Sequence, residues 1–324
     1  MKHILLMISV TLSALPSLVQ AQAKGTEANA RRAVPDDVET MANIVYKTID
    51  GRKLALDLYR MKGKTYENAP LIIWTHGGGF AKGSKEGAVK HNPEVMLPLL
   101  SQHGYLVASV EYRLCTPDND KVRVVQCMTD CKDAVRFLVK NSSQYGIDTT
   151  RIATIGSSAG GGIALMLAMS EDADLPGDPE LTQVSAPIKC AVSWFGPTDM
   201  RDMGKSRPGR DRSQSIFTAA NRNDPHQTEI ISPMWYMEKR KDKVPTLLVH
   251  GDSDTTVLQS QSIAMKAAGD RLGFPIEYLP VTNMRHGFNG TDKGPITPAL
   301  DEIWKATVAF VLKNNDSLGR QRGR

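Results

Sequence analysis

Short runs of consecutive apolar residues recur along the chain, and each empties into a glycine-rich or polar loop. The clearest are Leu71-Ile72-Ile73-Trp74-Thr75, Arg151-Ile152-Ala153-Thr154-Ile155 and Val244-Pro245-Thr246-Leu247-Leu248-Val249, with Ile276-Glu277-Tyr278-Leu279-Pro280-Val281, interrupted by a charge, as a further strand run. A half-exposed strand would alternate apolar and polar positions, so unbroken β-branched runs of this kind read as strands buried on both faces. Helical stretches lie between them, such as Ile163-Ala164-Leu165-Met166-Leu167-Ala168-Met169, whose residues suit a helix packed on a sheet. Strand and helix in alternation predict the α/β class, with one mostly parallel central sheet covered on both faces. Asn43 to Arg60 instead alternates about Ile49-Asp50-Gly51-Arg52, which predicts an antiparallel hairpin leading into the sheet.

The same pattern sets the expected boundaries. Lys2, the apolar stretch Ile4 to Val19 and then Ala21-Gln22-Ala23 have the layout of an export leader, placed at residues 1–21. The apolar stretch is short and its flank is not basic, so a membrane anchor is not expected. Residues 22–42 read as a loose polar segment, 43–314 as one α/β domain, and 315–324 as a basic, solvated tail. The polar segment from Arg201 is too long for an ordinary connection, and residues 201–231 read as a small cap or lid.

Composition narrows the classes little further. The formal net charge is +5, or +4 once Lys2 leaves with the leader, and the bases are dispersed apart from Arg320, Arg322 and Arg324. With aromatic residues at 6%, no basic patch with interleaved rings suggests nucleic acid. Of the four cysteines, Cys115 and Cys127 flank a loop that a disulfide would close in an oxidising setting, whereas Cys131 and Cys190 sit in core patterns. No spacing suggests a metal site, and no organic cofactor is implied.

Candidate chemistry lies in the loops after the strands. Gly156-Ser157-Ser158-Ala159-Gly160 joins a strand to a helix as G-x-S-x-G, which holds its central serine on a sharp, strained turn. Ser158 is therefore a candidate nucleophile at a helix N-terminus, where the backbone favours developing negative charge. The bland reading is a glycine-rich helix start with a capping serine. His76-Gly77-Gly78-Gly79-Phe80 follows another strand, and such a loop presents bare N–H groups to an oxyanion. Gly78 and Gly79, with Ala159 after the serine, are the candidate donors. Neither glycine segment continues as a phosphate-binding fingerprint.

A serine needs a base, and the base an orienting acid. His286 follows the last strand run and is the candidate base; His250 and His76 open loops and read as loop-stabilising hydrogen-bonding groups. Asp254 in His250-Gly251-Asp252-Ser253-Asp254 is the preferred acid, with Asp252 and Asp199 as competitors. Active sites of open α/β sheets collect beyond the carboxyl ends of the strands, where all these loops can meet.

The succession His76 to Phe80, Glu111-Tyr112-Arg113-Leu114, Asp130 to Leu138, Tyr145 to Asp148, Gly156 to Gly161, Trp194 to Asp199 and His250 to Asp254 resembles the bacterial α/β-hydrolase esterases. It is most similar to the bifunctional feruloyl and acetyl-xylan esterase group, cousins of the hormone-sensitive-lipase-like carboxylesterases, over about Asn43 to Leu312. The latter usually carry Asp before the nucleophile, where this chain has Ser157. The resemblance implies the α/β-hydrolase fold, and it implies the last aspartate of the H-G-x-x-D stretch, Asp254, as the acid. It implies a small ester or an acylated polysaccharide as the substrate. Phe80, Trp194, Trp235 and Phe288 are candidate pocket-lining residues, as is Phe195, and each suits the core equally well. A same-triad amidase or formamidase, and a non-catalytic carbohydrate-binding protein, remain as other readings. A lipid-acting enzyme is disfavoured because no long apolar lid segment is present.

Overall fold

The structure, a computed structural model, describes residues 34–115, 122–203 and 225–315. The leader, most of the cap expected over 201–231, and the basic tail from residue 316 lie outside them. Eight strands form the central sheet: β1 (Val38–Ile49), β2 (Arg52–Met61), β3 (Ala69–Thr75), β4 (Leu106–Val110), β5 (Ile147–Ser157), β6 (Cys190–Trp194), β7 (Thr246–Gly251) and β8 (Ile276–Val281). Their order is β1-β2-β4-β3-β5-β6-β7-β8. The pairs β1–β2 and β2–β4 are antiparallel, and every pairing from β4 to β8 is parallel.

The hairpin starts earlier than its pattern predicts. Val38 pairs with Met61 and Val34 packs on the core, so the segment expected to stay loose up to residue 42 supplies the start of β1. The reason is a bulge. The register slips between Met41 and Ile44, where Asn43 takes φ 58° and donates its N–H to Asp57 Oδ1 at 2.8 Å. A bulge shifts the side-chain alternation by one position, which hides the strand from a period-two reading.

Strand β3 illustrates the layering. All seven of its residues are buried. Leu71 and Ile73 join one core cluster while Ile72 and Trp74 join the other, as the two-residue side-chain period requires. Helices Val124–Lys140, Ala159–Met169 and Ser260–Leu272 contribute to the first cluster, and Pro93–His103 and Leu300–Asn315 to the second. The result is a three-layer α/β arrangement with the parallel strand ends of β3, β5, β6, β7 and β8 on one edge.

One face of the sheet also holds charge. Lys47 Nζ lies 3.0 Å from Asp130 Oδ1 and 2.7 Å from Asp133 Oδ2. Arg113 clamps Asp130 through Nε and Nη2 at 2.7 and 2.8 Å, and Arg136 Nη1 meets Asp133 Oδ1 at 3.0 Å. Both carboxylates are sealed from solvent, so each relies on two cations to offset desolvation. Cys131 and Cys190 are buried core thiols as expected. The Cys115–Cys127 bridge is not formed: both are free thiols with Sγ atoms 3.6 Å apart, and Cys127 Sγ donates to Arg113 O at 3.0 Å.

Lys47→Met leaves two buried carboxylates short of a cation, and urea unfolding should show a loss of about 3 kcal/mol or more. The exposed pair Lys305–Asp301 supplies the control, because Lys305→Met should leave the unfolding midpoint in place. Equal effects of the two substitutions would remove the buried cluster from its structural role.

Candidate active site

Ser158 sits at the turn from β5 into helix Ala159–Met169 with φ 53° and ψ −124°, a conformation that side chains rarely adopt. Its N–H donates to Trp194 O at 2.9 Å, and its carbonyl accepts from Gly162 N at 3.1 Å. The glycines around it leave no room for side chains. A Cβ at Gly156 would stand 2.2 Å from Gly160 O, and one at Gly160 would stand 2.0 Å from Thr75 O. The turn is thus wedged against the end of β3.

His286 follows β8 and reaches back to this turn. Its Nε2 lies 2.8 Å from Ser158 Oγ, and its Nδ1 lies 2.6 Å from Asp254 Oδ2. An ionised carboxylate only accepts, so the proton of the neutral ring belongs on Nδ1, leaving Nε2 to accept from the serine hydroxyl. The imidazole is partly exposed, while the Asp254 side chain is sealed. Asp254 Oδ1 accepts from the N–H groups of Thr256 and Val257 at 2.7 and 3.1 Å. Burial alone would push the Asp254 carboxyl up. The His250 ring 3.4 Å away, the hydrogen bond and charge of His286 and the Thr256 N–H outweigh burial and hold it well below the usual carboxylate range.

The competing aspartates are elsewhere. Asp252 is exposed and accepts from its neighbour Ser253, and Asp199 is held by Arg201 at 2.6 Å. His76 and His250 make the loop-stabilising contacts expected of them. His76 Nδ1 lies 2.8 Å from Gly77 O, its ring stacks on Tyr112 at 4.1 Å, and Tyr112 donates its hydroxyl to His76 O at 2.8 Å.

The loop after β3 lies against the serine turn: a Cβ at Gly77 would stand 2.9 Å from Ser157 O. Gly78, Gly79 and Phe80 all have positive φ, at 116°, 62° and 62°. A Cβ at Gly78 would meet Lys82 O at 2.1 Å, so the loop is closed around a position that only glycine fills. Among the described residues, no acceptor takes the N–H groups of Gly78, Gly79 or Ala159. Cys115 N–H ties Phe80 O down at 2.8 Å.

The candidate pocket-lining aromatics divide. Trp194 has no exposed surface and packs on Trp74, Phe288 and Trp304, so it is a core residue rather than a lining one. Phe80 is likewise buried within the main core, with its backbone at φ 62°. Trp235 is half-buried with Lys239 and Arg201 against its ring at 4.4 and 5.8 Å. Phe288 is half-buried against Phe195 and Trp304. Phe195, with φ 43°, places its ring edge-on to His286 at 4.8 Å and so bounds the imidazole from behind. Its sequence signal was position alone: it follows directly on a core strand.

Among the described residues, no helix is long and apolar enough to cross a membrane. Comparison with known proteins agrees with this architecture. The chain is 27% identical over 302 residues to the non-reducing polyketide synthase atr1 of Stereocaulon alpinum, which takes in 75% of this chain but 12% of that protein. It is 25% identical over 270 residues to esterase LipC of Mycobacterium tuberculosis, covering 79% of this chain and 64% of LipC. The chain thus spans less than two thirds of the length of these curated relatives. Among solved structures, a truncated carbohydrate esterase from gut microbiota shares the fold with a TM-score of 0.69 and 21% identity, over 86% of this chain and 96% of that one. The α/β-hydrolase fold is therefore that of known esterases. The BD-FAE family matches residues 56–268, which contain the serine turn, the glycine loop and Asp254, and this chain belongs to that family.

Proposed function

We propose that this chain is an exported serine carboxylesterase that removes short-chain acyl groups such as acetyl, or feruloyl groups, from plant polysaccharides. The observation that carries the reading is the continuous contact Ser158 Oγ–His286 Nε2–Asp254 Oδ2, at 2.8 and 2.6 Å, beside the glycine loop. A protein that only binds carbohydrate has no use for a serine held in strain against a base. Family membership and the likeness to a carbohydrate esterase support the ester and polysaccharide parts of the reading. Export rests on the leader pattern of residues 1–21.

In this mechanism Ser158 Oγ attacks the ester carbonyl as His286 Nε2 takes its proton. Asp254 holds the Nδ1–H tautomer and stabilises the imidazolium that forms. The N–H groups of Gly78, Gly79 and Ala159 meet the oxyanion, and their orientation is fixed before substrate arrives. His286 then returns its proton to the leaving alkoxide, and water, activated by the same ring, hydrolyses the acyl-enzyme.

Hydrolysis of an aryl-ester chain-length series, acetylated xylan and methyl ferulate tests the reading. Release of acetate or ferulate is expected, and Ser158→Ala should lower turnover on the order of 10³-fold or more. A diethyl aryl phosphate should label the wild type once, at Ser158. No hydrolysis of any ester by folded protein, or a Ser158→Ala variant within a few-fold of wild type, would overturn it.

Asp254→Asn should lower kcat by roughly 10³–10⁴-fold, because the amide favours the wrong imidazole tautomer. Its effect on stability should depend on pH. The folded carboxyl titrates below its unfolded value of about 3.9, so the charge stabilises the fold above that pH and the benefit fades as pH falls through the lower folded value. The difference in unfolding free energy between wild type and Asp254→Asn should therefore shrink below about pH 4. A constant difference from neutral to acid pH would contradict this.

A further inference from the structure

His250 ends up doing more than bracing its own loop. It lies on β7, four residues before Asp254, and has no solvent-exposed surface. Its Nε2 stands 2.9 Å from Val257 O and 3.4 Å from Asp254 Oδ2. Its Nδ1 stands 2.7 Å from Ser262 Oγ, on helix Ser260–Leu272. A carbonyl oxygen only accepts, so the ring carries a proton on Nε2, and in the neutral ring Nδ1 accepts from the Ser262 hydroxyl. Both ring nitrogens are then occupied, and the tautomer and the ring plane are fixed from two sides.

That fixed N–H faces two acceptors of the same turn. Val257 O is the near one; Asp254 Oδ2, the oxygen that His286 uses, is the far one. Val257 also donates its own N–H to Asp254 Oδ1 at 3.1 Å, and Thr256 does so at 2.7 Å. The turn from residue 254 to 257 therefore closes around the carboxylate, with the His250 ring as its floor. Those local backbone donors both go to Oδ1, so among the contacts of this turn Oδ2 is left to the two histidine rings.

Resting on the reading of Ser158, His286 and Asp254 as the reacting set, the geometry points to His250 as a positioning residue that orients the Asp254 carboxylate through a buried Ser262–His250 contact. The chain of contacts runs from Ser262 Oγ through His250, Asp254 and His286 to Ser158 Oγ, and so ties helix Ser260–Leu272 to the nucleophile. His250 touches no reacting atom. Its role is to present Oδ2 to His286 Nδ1–H in one orientation, by holding the Val257 carbonyl and lying against that oxygen.

Two substitutions separate this role from simple core filling. His250→Gln keeps an N–H near the Nε2 position, whereas His250→Asn withdraws it from Asp254 and Val257. With an aryl acetate as the probe, His250→Asn should lower kcat by roughly 10–100-fold with KM unchanged, because a modest misplacement of a supporting group costs about that much. His250→Gln should stay within a few-fold of wild type. The proton shared by His286 Nδ1 and Asp254 should give a downfield NMR resonance that persists in His250→Gln and shifts or disappears in His250→Asn. A His250→Asn variant with wild-type kcat, or one whose downfield resonance is unmoved, overturns the inference. If His250→Asn does not fold, Ser262→Ala decides the matter. A loss of roughly ten-fold in kcat with a shifted resonance supports the positioning role, and no change in either overturns it. The resonance is read without substrate, so a wild type that hydrolyses no ester would defeat the proposed function while still deciding the role of His250.

Discussion

The site depends on the close approach between the end of β3 and the turn that follows β5. Thr75 O lies 2.0 Å from where a Cβ on Gly160 would stand, and Thr75 Oγ1 donates to Gly160 O at 2.8 Å, so the two backbones meet with no room for a side chain on Gly160. From that contact two things follow. The glycine loop that continues from Thr75 is carried directly over the serine turn, and Ser158 is forced into φ 53° because its neighbours cannot relax away. Nucleophile and N–H donors are thus set by one packing constraint rather than by two independent loops.

The remaining parts are delivered by parallel strands. In a parallel sheet every carboxyl end lies on one edge, so β7 and β8 can bring Asp254 and His286 to a serine that is far away in sequence. Their register adds precision. Asp252 N–H donates to Val281 O at 2.9 Å and Ser253 N–H to Met284 O at 3.1 Å, which staples the acid's turn to the segment that carries the base. The buried Lys47–Asp130–Asp133 cluster acts at a distance from this edge, by fixing helix Val124–Lys140 on the sheet and, through Arg113, the segment that leads to Cys115. Cys115 N–H in turn holds Phe80 O, so the charge cluster and the glycine loop share one run of backbone.

Much of this was legible in the chain, for identifiable reasons. The runs that became β3 and β7 are legible because strands buried on both faces leave no polar positions to confuse the period, whereas β8, at the sheet edge, exposes Glu277 and Pro280. Ser158 and the glycine loop were read because their geometry admits few residue types. The start of β1 was not, since the bulge at Asn43 reverses the alternation that would have announced it. Asp254 and Asp252 lie on the same turn, and only its backbone directions, with one carboxylate sealed and the other exposed, separate them. Trp194 and Phe80 adjoin strand ends, where composition does not say whether a ring faces a pocket or the core. The contact of His250 with Asp254 was hidden for a similar reason: a spacing of four residues along a strand and turn carries no fixed direction.

Backbone strain ties these observations together. Among the described residues, eight that are not glycine have positive φ. Asn43, Asp50, Asn68 and Asn283 are of the types that accept that region at little cost. The other four are Phe80, Ser158, Phe195 and Phe288, and they fall after β3, at the end of β5, after β6 and after β8. Each such conformation costs on the order of 1–3 kcal/mol and persists only where its surroundings over-determine it. Here the surroundings are visible: Phe195 packs on both Phe288 and His286, while Phe80 is sunk in the core. The aromatic side chains at the strand ends therefore serve as anchors that hold strained loops in place. That explains why Phe80, Trp194 and Phe195, whose chemistry suits a substrate wall, are turned inward.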